Sequence, residues 1–193
     1  MSDLVRRARN DREAFGQLYD LFYPKIFRYC VRRLFSREMA EDVTSEIFLS
    51  VAKHIGSFAG DTEEDFQRWV YRIATNEINA TIRRMKRHEE LLESAVHSGA
   101  VHSGSGPGGP DNLDALDWPM LSRAIRRLKP REQTIIALRF FEQMSHEQIA
   151  GVLKRRPGAV RVALSRALKK LRKQFDTAGE SGSGNLGRST QER

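Results

Sequence analysis

Between Ser145 and Arg172 the chain reads SHEQIAGVLKRRPGAVRVALSRALKKLR, and few folds accommodate that segment. Ser145 stands where a helix N-cap belongs, and Gln148, three residues on, completes a capping box. Ile149, Ala150, Val152 and Leu153 give a short helix its packing face. Lys154, Arg155, Arg156, Pro157 and Gly158 then break it. A second helix follows, with Val160, Leu164, Ala167, Leu168 and Leu171 spaced to fall on one inward face. Arg161, Ser165, Arg166, Lys169, Arg172 and Lys173 lie elsewhere on its surface. Two short helices joined by a tight turn, the second one basic, make a helix-turn-helix whose second helix is suited to the major groove of duplex DNA.

Charge supports a DNA partner. The chain carries 33 Lys+Arg against 25 Asp+Glu, a net of +8. Residues 1–93 hold 16 basic and 16 acidic side chains, whereas residues 119–176 hold 15 and 4, so the positive field belongs to the last third. A phosphate-binding surface needs that concentration. A basic helix that serves only solubility has the same charge, but it needs neither the turn nor the apolar stripe behind it.

The middle of the chain divides it. Residues 94–113 read SAVHSGAVHSGSGPGGPDNL, with AVHSG in tandem and then a Gly/Ser/Pro run. Such a composition buries no core and predicts a flexible linker over 94–114. His97 and His102 lie in it, where solvated histidines are the ordinary reading. The tail, 177–193, is Gly/Ser-rich and is expected to be disordered. Two small all-α domains result, 1–93 and 115–176. No apolar run is long enough to span a membrane, and the start of the chain lacks a secretory core. Cys30 is the only cysteine, so no internal disulfide forms, which fits a cytoplasmic protein. Its apolar neighbours predict a buried thiol. No cofactor or metal is expected, since the sequence has neither a second cysteine nor a close histidine pair.

The first domain repeats apolar residues at helical spacing and shows no period of two, so no sheet is expected. Phe15, Leu18, Tyr19 and Phe22 mark one helix, and Ile26, Phe27, Cys30, Val31 and Leu34 a second, opened by Pro24. Ala40, Val43, Ile47, Val51 and Ala52 mark a third. Phe66, Trp69, Val70, Ile73, Ala74 and Ile78 mark a fourth. Opposite its apolar side, the fourth helix aligns Arg68, Arg72, Asn76, Asn79, Arg83, Lys86 and Arg87, with no acid in that stripe until Glu90. Arginines hold phosphates and asparagines pair with base edges. An ordinary solvated face would intersperse acids among the bases. The third helix is the reverse: Glu38, Glu41, Asp42 and Glu46 project from it, with Leu49 one turn beyond. Its acids have no evident use within the chain and suit a basic protein partner. A paired-carboxylate metal site is the alternative, but no histidine or further acid stands at coordinating spacing.

At this point four segments resemble bacterial sigma factors of the sigma-70 class, in the two-domain extracytoplasmic-function (ECF) group. DREAFGQLYDLFYPKIFRYC is similar to their first conserved region, and AEDVTSEIFLSVAKHIGSF to their core-polymerase-binding region. WVYRIATNEINATIRRMKR is similar to the promoter −10 segment, and the stretch from Leu128 to Arg172 to the −35-binding domain. The order and spacing of the four, with a linker between, carry the resemblance better than any one of them.

The resemblance implies a non-catalytic subunit that binds core RNA polymerase, delivers it to a promoter and helps to open the duplex. It implies an anti-sigma factor as regulator. By position, Asp42, Glu46 and Phe48 match the core-binding motif, with Leu49 beside them and Ser45 where a Gln is usual. Asn76 matches the −10-contacting Asn; Arg72, Asn79, Arg83, Arg84 and Arg87 share its helix, and Ala80 replaces a frequent Asp or Asn. Arg161 and Arg166 match −35 contacts, joined on the same surface by Arg155, Arg156, Val162, Ser165 and Lys169. Between Phe58 and Trp69 the chain holds two residues more than the pattern, in the stretch DTEED, where the family selects a flipped base. Two other readings compete: a free-standing helix-turn-helix regulator, which leaves the acidic helix and the Arg/Asn stripe without purpose, and an RNA-binding or nuclease-like protein, which needs a coordinating cluster.

Overall fold

A computed structural model describes residues 2–96 and 118–182, and every regular element among them is helical. The N-terminal part is a bundle of α1 (Ser2–Arg7), α2 (Arg12–Leu34), α3 (Arg37–His54) and α4 (Glu63–Val96). The C-terminal part comprises α5 (Trp118–Arg126), α6 (Pro130–Ile136), α7 (His146–Leu153) and α8 (Pro157–Gly182). A π turn, Ala137–Phe141, extends α6.

The expected break at Pro24 is absent: α2 is one helix with Pro24 inside it. Leu18, Phe22, Ile26, Tyr29 and Cys30 are all fully buried, a stripe that continues across the proline. A proline in a helix interior costs about 3 kcal/mol. Full burial of Phe22 or Ile26 contributes about 1.5–3 kcal/mol each, and both reach the core only if the axis continues. Asp11 caps the start of α2 by accepting the Glu13 N–H at 2.9 Å. Phe35 closes it in a left-handed conformation (φ 56°), its N–H donating to the Val31 carbonyl at 2.8 Å.

In α3 the inward face runs through Ala40, Val43, Thr44, Ile47, Phe48 and Val51. Ala52, expected among them, is exposed. Thr44 fits a buried position because its hydroxyl donates to the Ala40 carbonyl at 2.6 Å. The DTEED stretch starts α4: the Asp65 N–H donates to Thr62 Oγ1 at 3.1 Å and the Thr62 N–H returns a bond to the Asp65 carboxylate at 3.3 Å. Helix α4 then runs past the expected limit at 93, and α8 past that at 176. The intervening residues 97–117 and the tail 183–193 lie outside the described residues, so the linker beyond Val96, with His97 and His102, and most of the tail lie outside them too.

Ser145 caps α7 as its sequence requires. Its Oγ accepts the Gln148 N–H at 3.2 Å, and its own N–H donates to Gln148 Oε1 at 2.8 Å. We expect Ser145→Ala to lower stability by about 1 kcal/mol and Ser145→Gly by only a few tenths, readable as the difference in urea midpoint at constant slope. Equal midpoints for Ser145→Ala and wild type would mean that the cap is energetically idle.

The two halves pack against each other, which separate domains on a linker do not require. Arg33 is buried at the junction and its guanidinium donates to Gln133 Oε1 (2.5 Å), Asn79 Oδ1 (3.2 Å) and the Pro130 carbonyl (3.3 Å). Gln133 is held in turn by donating to the Leu128 carbonyl at 2.9 Å. Arg126 reaches back to the Phe35 carbonyl at 3.4 Å and lies over the Phe35 ring.

Candidate nucleic-acid interface

The helix-turn-helix forms because α7 and α8 bury opposing apolar faces. Ile149, Ala150 and Val152 point inward from α7, and Val160, Leu164, Ala167 and Leu171 from α8. Leu168, expected in that set, is 40% exposed. It sits about 70° from the mean direction of the four buried residues, at the edge of the stripe. Lys154 makes the turn with φ 51°, and the Arg155 N–H donates to the Ala150 carbonyl at 2.9 Å. Arg155, Arg156, Arg161, Val162, Ser165, Arg166 and Lys169 are all exposed, as a groove-reading surface must be. Arg161, Ser165 and Lys169 follow one another at i, i+4, i+8, and Val162 and Arg166 run beside them.

The α4 stripe divides into two parts. Asn76, Arg83, Arg84 and Arg87 are exposed. Arg72 and Asn79 are only partly so, because the C-terminal half engages Arg72 and Arg33 of α2 engages Asn79. Arg72 donates from Nη2 to the Gly151 carbonyl at 2.6 Å and from Nε to the Val152 carbonyl at 3.4 Å. Asn79 Oδ1 accepts from Arg33. Sequence reading treated both as solvent-facing, and neither helical spacing nor charge indicates otherwise. A cleft of about 450 Å³ separates the stripe from the turn of the helix-turn-helix. Arg72, Asn76 and Asn79 line one side and Arg131, Lys154 and Arg155 the other, with no acid in the lining. Ahead of α4, Arg9 ties down the 58–62 loop through the Gly60 carbonyl (2.5 Å) and Asp61 (2.9 Å).

The acidic surface of α3 stands as expected, with Glu38, Glu41, Asp42, Glu46 and Leu49 exposed. Two corrections apply. Phe48, expected on that surface, is instead buried, and its ring meets Tyr19 edge-on at 4.8 Å between centroids, packing α3 on α2. The acids do have intramolecular contacts: Glu46 lies 3.7 Å from Arg84, and Glu41 3.2 Å from Arg37. Both pairs are solvent-exposed and contribute about 0–1 kcal/mol each, so they leave the surface available.

Sequence reading missed the buried polar junction. Glu142 accepts from Tyr71 Oη at 2.5 Å and from Arg32 Nη1 at 3.2 Å. Burial pushes its carboxyl up from the usual range, and the Tyr71 bond and the charge of Arg32 oppose that shift. One signal was present: Arg32 and Arg33 interrupt an apolar run from Tyr29 to Phe35. Burial likewise pushes the Cys30 thiol up to about 12, so it stays neutral and inert. No group of three or more His, Cys, Asp or Glu side chains could hold a metal ion among the described residues. No helix among them is long and apolar enough to cross a membrane.

Comparison with known proteins matches residues 18–88 to the model for sigma-70 region 2 and residues 119–171 to that for sigma-70 region 4. The chain is 30% identical to the ECF RNA polymerase sigma factor BldN of Streptomyces coelicolor, over 89% of this chain and 64% of that one. It is 30% identical to the ECF RNA polymerase sigma factor SigW of Bacillus subtilis, over 86% of this chain and 91% of SigW. The RNA polymerase sigma-H factor of Pseudomonas aeruginosa is 31% identical over 85% of this chain and 88% of its own. The chain thus spans less than two thirds of BldN but most of the other two. In fold it is similar to the sigma factor RpoE of Bartonella quintana, solved with the anti-sigma factor NepR (TM-score 0.67, 22% identity, 84% of this chain and 96% of that one). CnrH, solved with the cytosolic domain of CnrY, is similar too (TM-score 0.66, 20% identity, 91% and 97%).

Proposed function

The chain belongs to the sigma-70 family, in its ECF group, and is a sigma factor that directs promoter-specific transcription initiation; we propose the following division of that task among its residues. Residues 1–93 bind core RNA polymerase through α3 and the −10 element through α4. Residues 115–176 bind the −35 duplex through α8, residues 94–114 join the two, and 177–193 form a tail. Asp42, Glu46 and Leu49 meet the polymerase. Arg72, Asn76, Asn79, Arg83, Arg84 and Arg87 meet the −10 strand, the arginines on phosphate and the asparagines on bases. Arg161, Val162, Ser165, Arg166 and Lys169 enter the −35 groove, and Arg155 and Arg156 hold phosphate. The protein works in the cytoplasm and catalyses nothing itself. RpoE is seen with an anti-sigma factor, and a partner of that kind restrains this chain as well.

The observation that carries this reading is the presence, on one chain, of a basic surface on α8, an Arg/Asn stripe on α4 and an acidic surface on α3 that meets this stripe at the exposed Glu46–Arg84 pair. A free-standing regulator needs only the first of the three. Run-off transcription with purified core polymerase on a promoter library tests the whole reading, since core alone starts at random. We expect Asn76→Ala to slow strand opening about tenfold while closed-complex affinity changes less than about twofold, because the base contact forms only in the melted state. Permanganate reactivity of unpaired thymines reads the difference. Unchanged melting would reduce this face of α4 to a solvated surface.

A further inference from the structure

We propose that the cleft between α4 and the helix-turn-helix is a binding site for a nucleoside polyphosphate, and that the nucleotide competes with promoter DNA for the residues it occupies. Competition with DNA rests on the roles given above to Arg72, Asn76 and Arg155; binding of the nucleotide itself does not.

The cleft holds about 450 Å³, within the range of about 300–1,000 Å³ that suits a small-molecule ligand. Four cations from separate parts of the fold line it: Arg72 on α4, Arg131 on α6, and Lys154 and Arg155 in the turn between α7 and α8. No acid lies among the lining residues, and none of the four cations has an ion pair among the described residues. Like charges gathered without a counter-charge repel one another, and an anion bridging them relieves the repulsion. The field has a further source. Ala159 and Val160, near the start of α8, form part of the wall, so the positive end of that helix dipole faces the cleft. Their own N–H groups donate to the Arg156 carbonyl, at 3.0 and 3.2 Å, and so add field rather than bonds.

Most neutral polar groups in the lining are already engaged. Thr75 Oγ1 shares a hydrogen bond with Tyr29 Oη at 2.9 Å, and Thr134 donates to the Pro130 carbonyl at 3.0 Å. Asn79 Oδ1 accepts from Arg33, which leaves its amide nitrogen as a donor. Arg72 bonds the Gly151 and Val152 carbonyls through Nη2 and Nε, which fixes the guanidinium and leaves Nη1. Phosphate therefore falls to the cations. Asn76, exposed on α4, supplies the amide that pairs with a base edge. Leu153 and Ala163, both half-buried, offer the apolar surface that a base or sugar needs.

Four cations around one cavity match a polyphosphate. A nucleic-acid strand spaces its phosphates along a line and calls for a groove that tracks it, whereas a di- or triphosphate concentrates its charge in one place. The ligand is bound rather than turned over, since no carboxylate in the lining could activate water. Seated there, it takes Arg72 and Asn76 from the −10 strand and Arg155 from −35 phosphate. Linkage makes the exclusion mutual: nucleotide lowers affinity for DNA by the factor by which DNA lowers affinity for nucleotide.

Arg131 and Lys154 separate nucleotide from promoter, because neither has been given a DNA contact. Both side chains are exposed; Arg131→Gln suits a helix, and Lys154→Asn suits the left-handed backbone at φ 51°. Titration calorimetry of the full chain with GTP, ATP, inorganic triphosphate and guanosine reads binding. We expect one equivalent of GTP or ATP, binding of inorganic triphosphate weaker by about tenfold, and none of guanosine. Each single variant weakens GTP binding about threefold and the double variant about tenfold, with circular dichroism unchanged. A short randomised DNA single strand and a randomised duplex, titrated in rising GTP, read competition. Wild-type affinity for each falls about tenfold and that of the double variant less than about twofold; without nucleotide the two chains differ less than about twofold. Absence of saturable GTP and ATP binding would overturn the site, as would undiminished binding by the folded variants. Inorganic triphosphate held as tightly as GTP would overturn recognition of the nucleoside. Nucleotide binding with no loss of DNA affinity would overturn the competition. Permanganate reactivity with Asn76→Ala, read without nucleotide, then shows whether the −10 assignment has failed with it.

Discussion

Replacing Asp42 and Glu46 together by lysine lowers affinity for core RNA polymerase by about a hundredfold or more, while binding to an isolated −35 duplex is unchanged. Both side chains are exposed on α3, on the opposite side from its buried stripe through Val43, Ile47 and Val51. Setting like charges against each other across an interface costs several kcal/mol, and a hundredfold corresponds to about 2.7 kcal/mol. Fold stability changes little. Of the two, Glu46 pairs with Arg84 at 3.7 Å, and that exposed pair contributes about 1 kcal/mol at most. Comparing Arg84→Ala with the double variant separates loss of this pair from loss of the surface. A core affinity equal to wild type would remove α3 from the polymerase interface. Phe48 behaves differently from its neighbours. As a buried ring against Tyr19 and Tyr23, it would lower stability by about 3–5 kcal/mol if replaced by alanine, and would disturb polymerase binding only through the fold.

Arg161→Ala and Arg156→Ala should divide affinity from specificity at −35. Arg161 is the fifth residue of α8, close to its N-terminal end, where a recognition helix meets base edges. An arginine bidentate to guanine contributes about 1–3 kcal/mol of discrimination, or roughly 5- to 150-fold between specific and scrambled duplexes. Arg156 precedes α8 and is exposed in the turn, where phosphate is the target. Its removal weakens all duplexes alike and flattens the plot of log affinity against log salt by about one unit of slope. Titrations at several salt concentrations against both duplexes read each effect. An equal loss on both duplexes for Arg161→Ala would make it a phosphate contact and place α8 differently in the groove. Val162 is 50% exposed beside it, an apolar side chain suited to a thymine methyl.

Helix type, the capping box at Ser145, the turn at Lys154 and the exposed basic face of α8 were all legible in the chain, because each depends on neighbours within about one or two turns. The period of 3.6 and the capping hydrogen bonds are local, and they survive any arrangement of the halves. Errors arose where burial at long range decided. Pro24 signals a break, yet the core on both sides of it is continuous, and burial outweighed the lost backbone bond. Phe48 and Leu168 stand at the edges of their apolar stripes, where spacing alone cannot say which way a neighbouring helix leans. Tertiary structure put Phe48 inside and left Leu168 outside.

The docking of the two halves was beyond sequence reading for a further reason. Arg33 with Gln133, Arg32 with Glu142 and Arg72 with Gly151 are separated by 100, 110 and 79 positions. An arginine in an amphipathic run has the same local pattern whether it meets water, phosphate or a distant carbonyl. The sequence by itself determined which surfaces are basic, acidic or apolar, since side-chain chemistry and helical phase are enough for that. Which basic groups remain available to DNA was decided only by the tertiary structure, because a guanidinium's use is set by the acceptor that reaches it first.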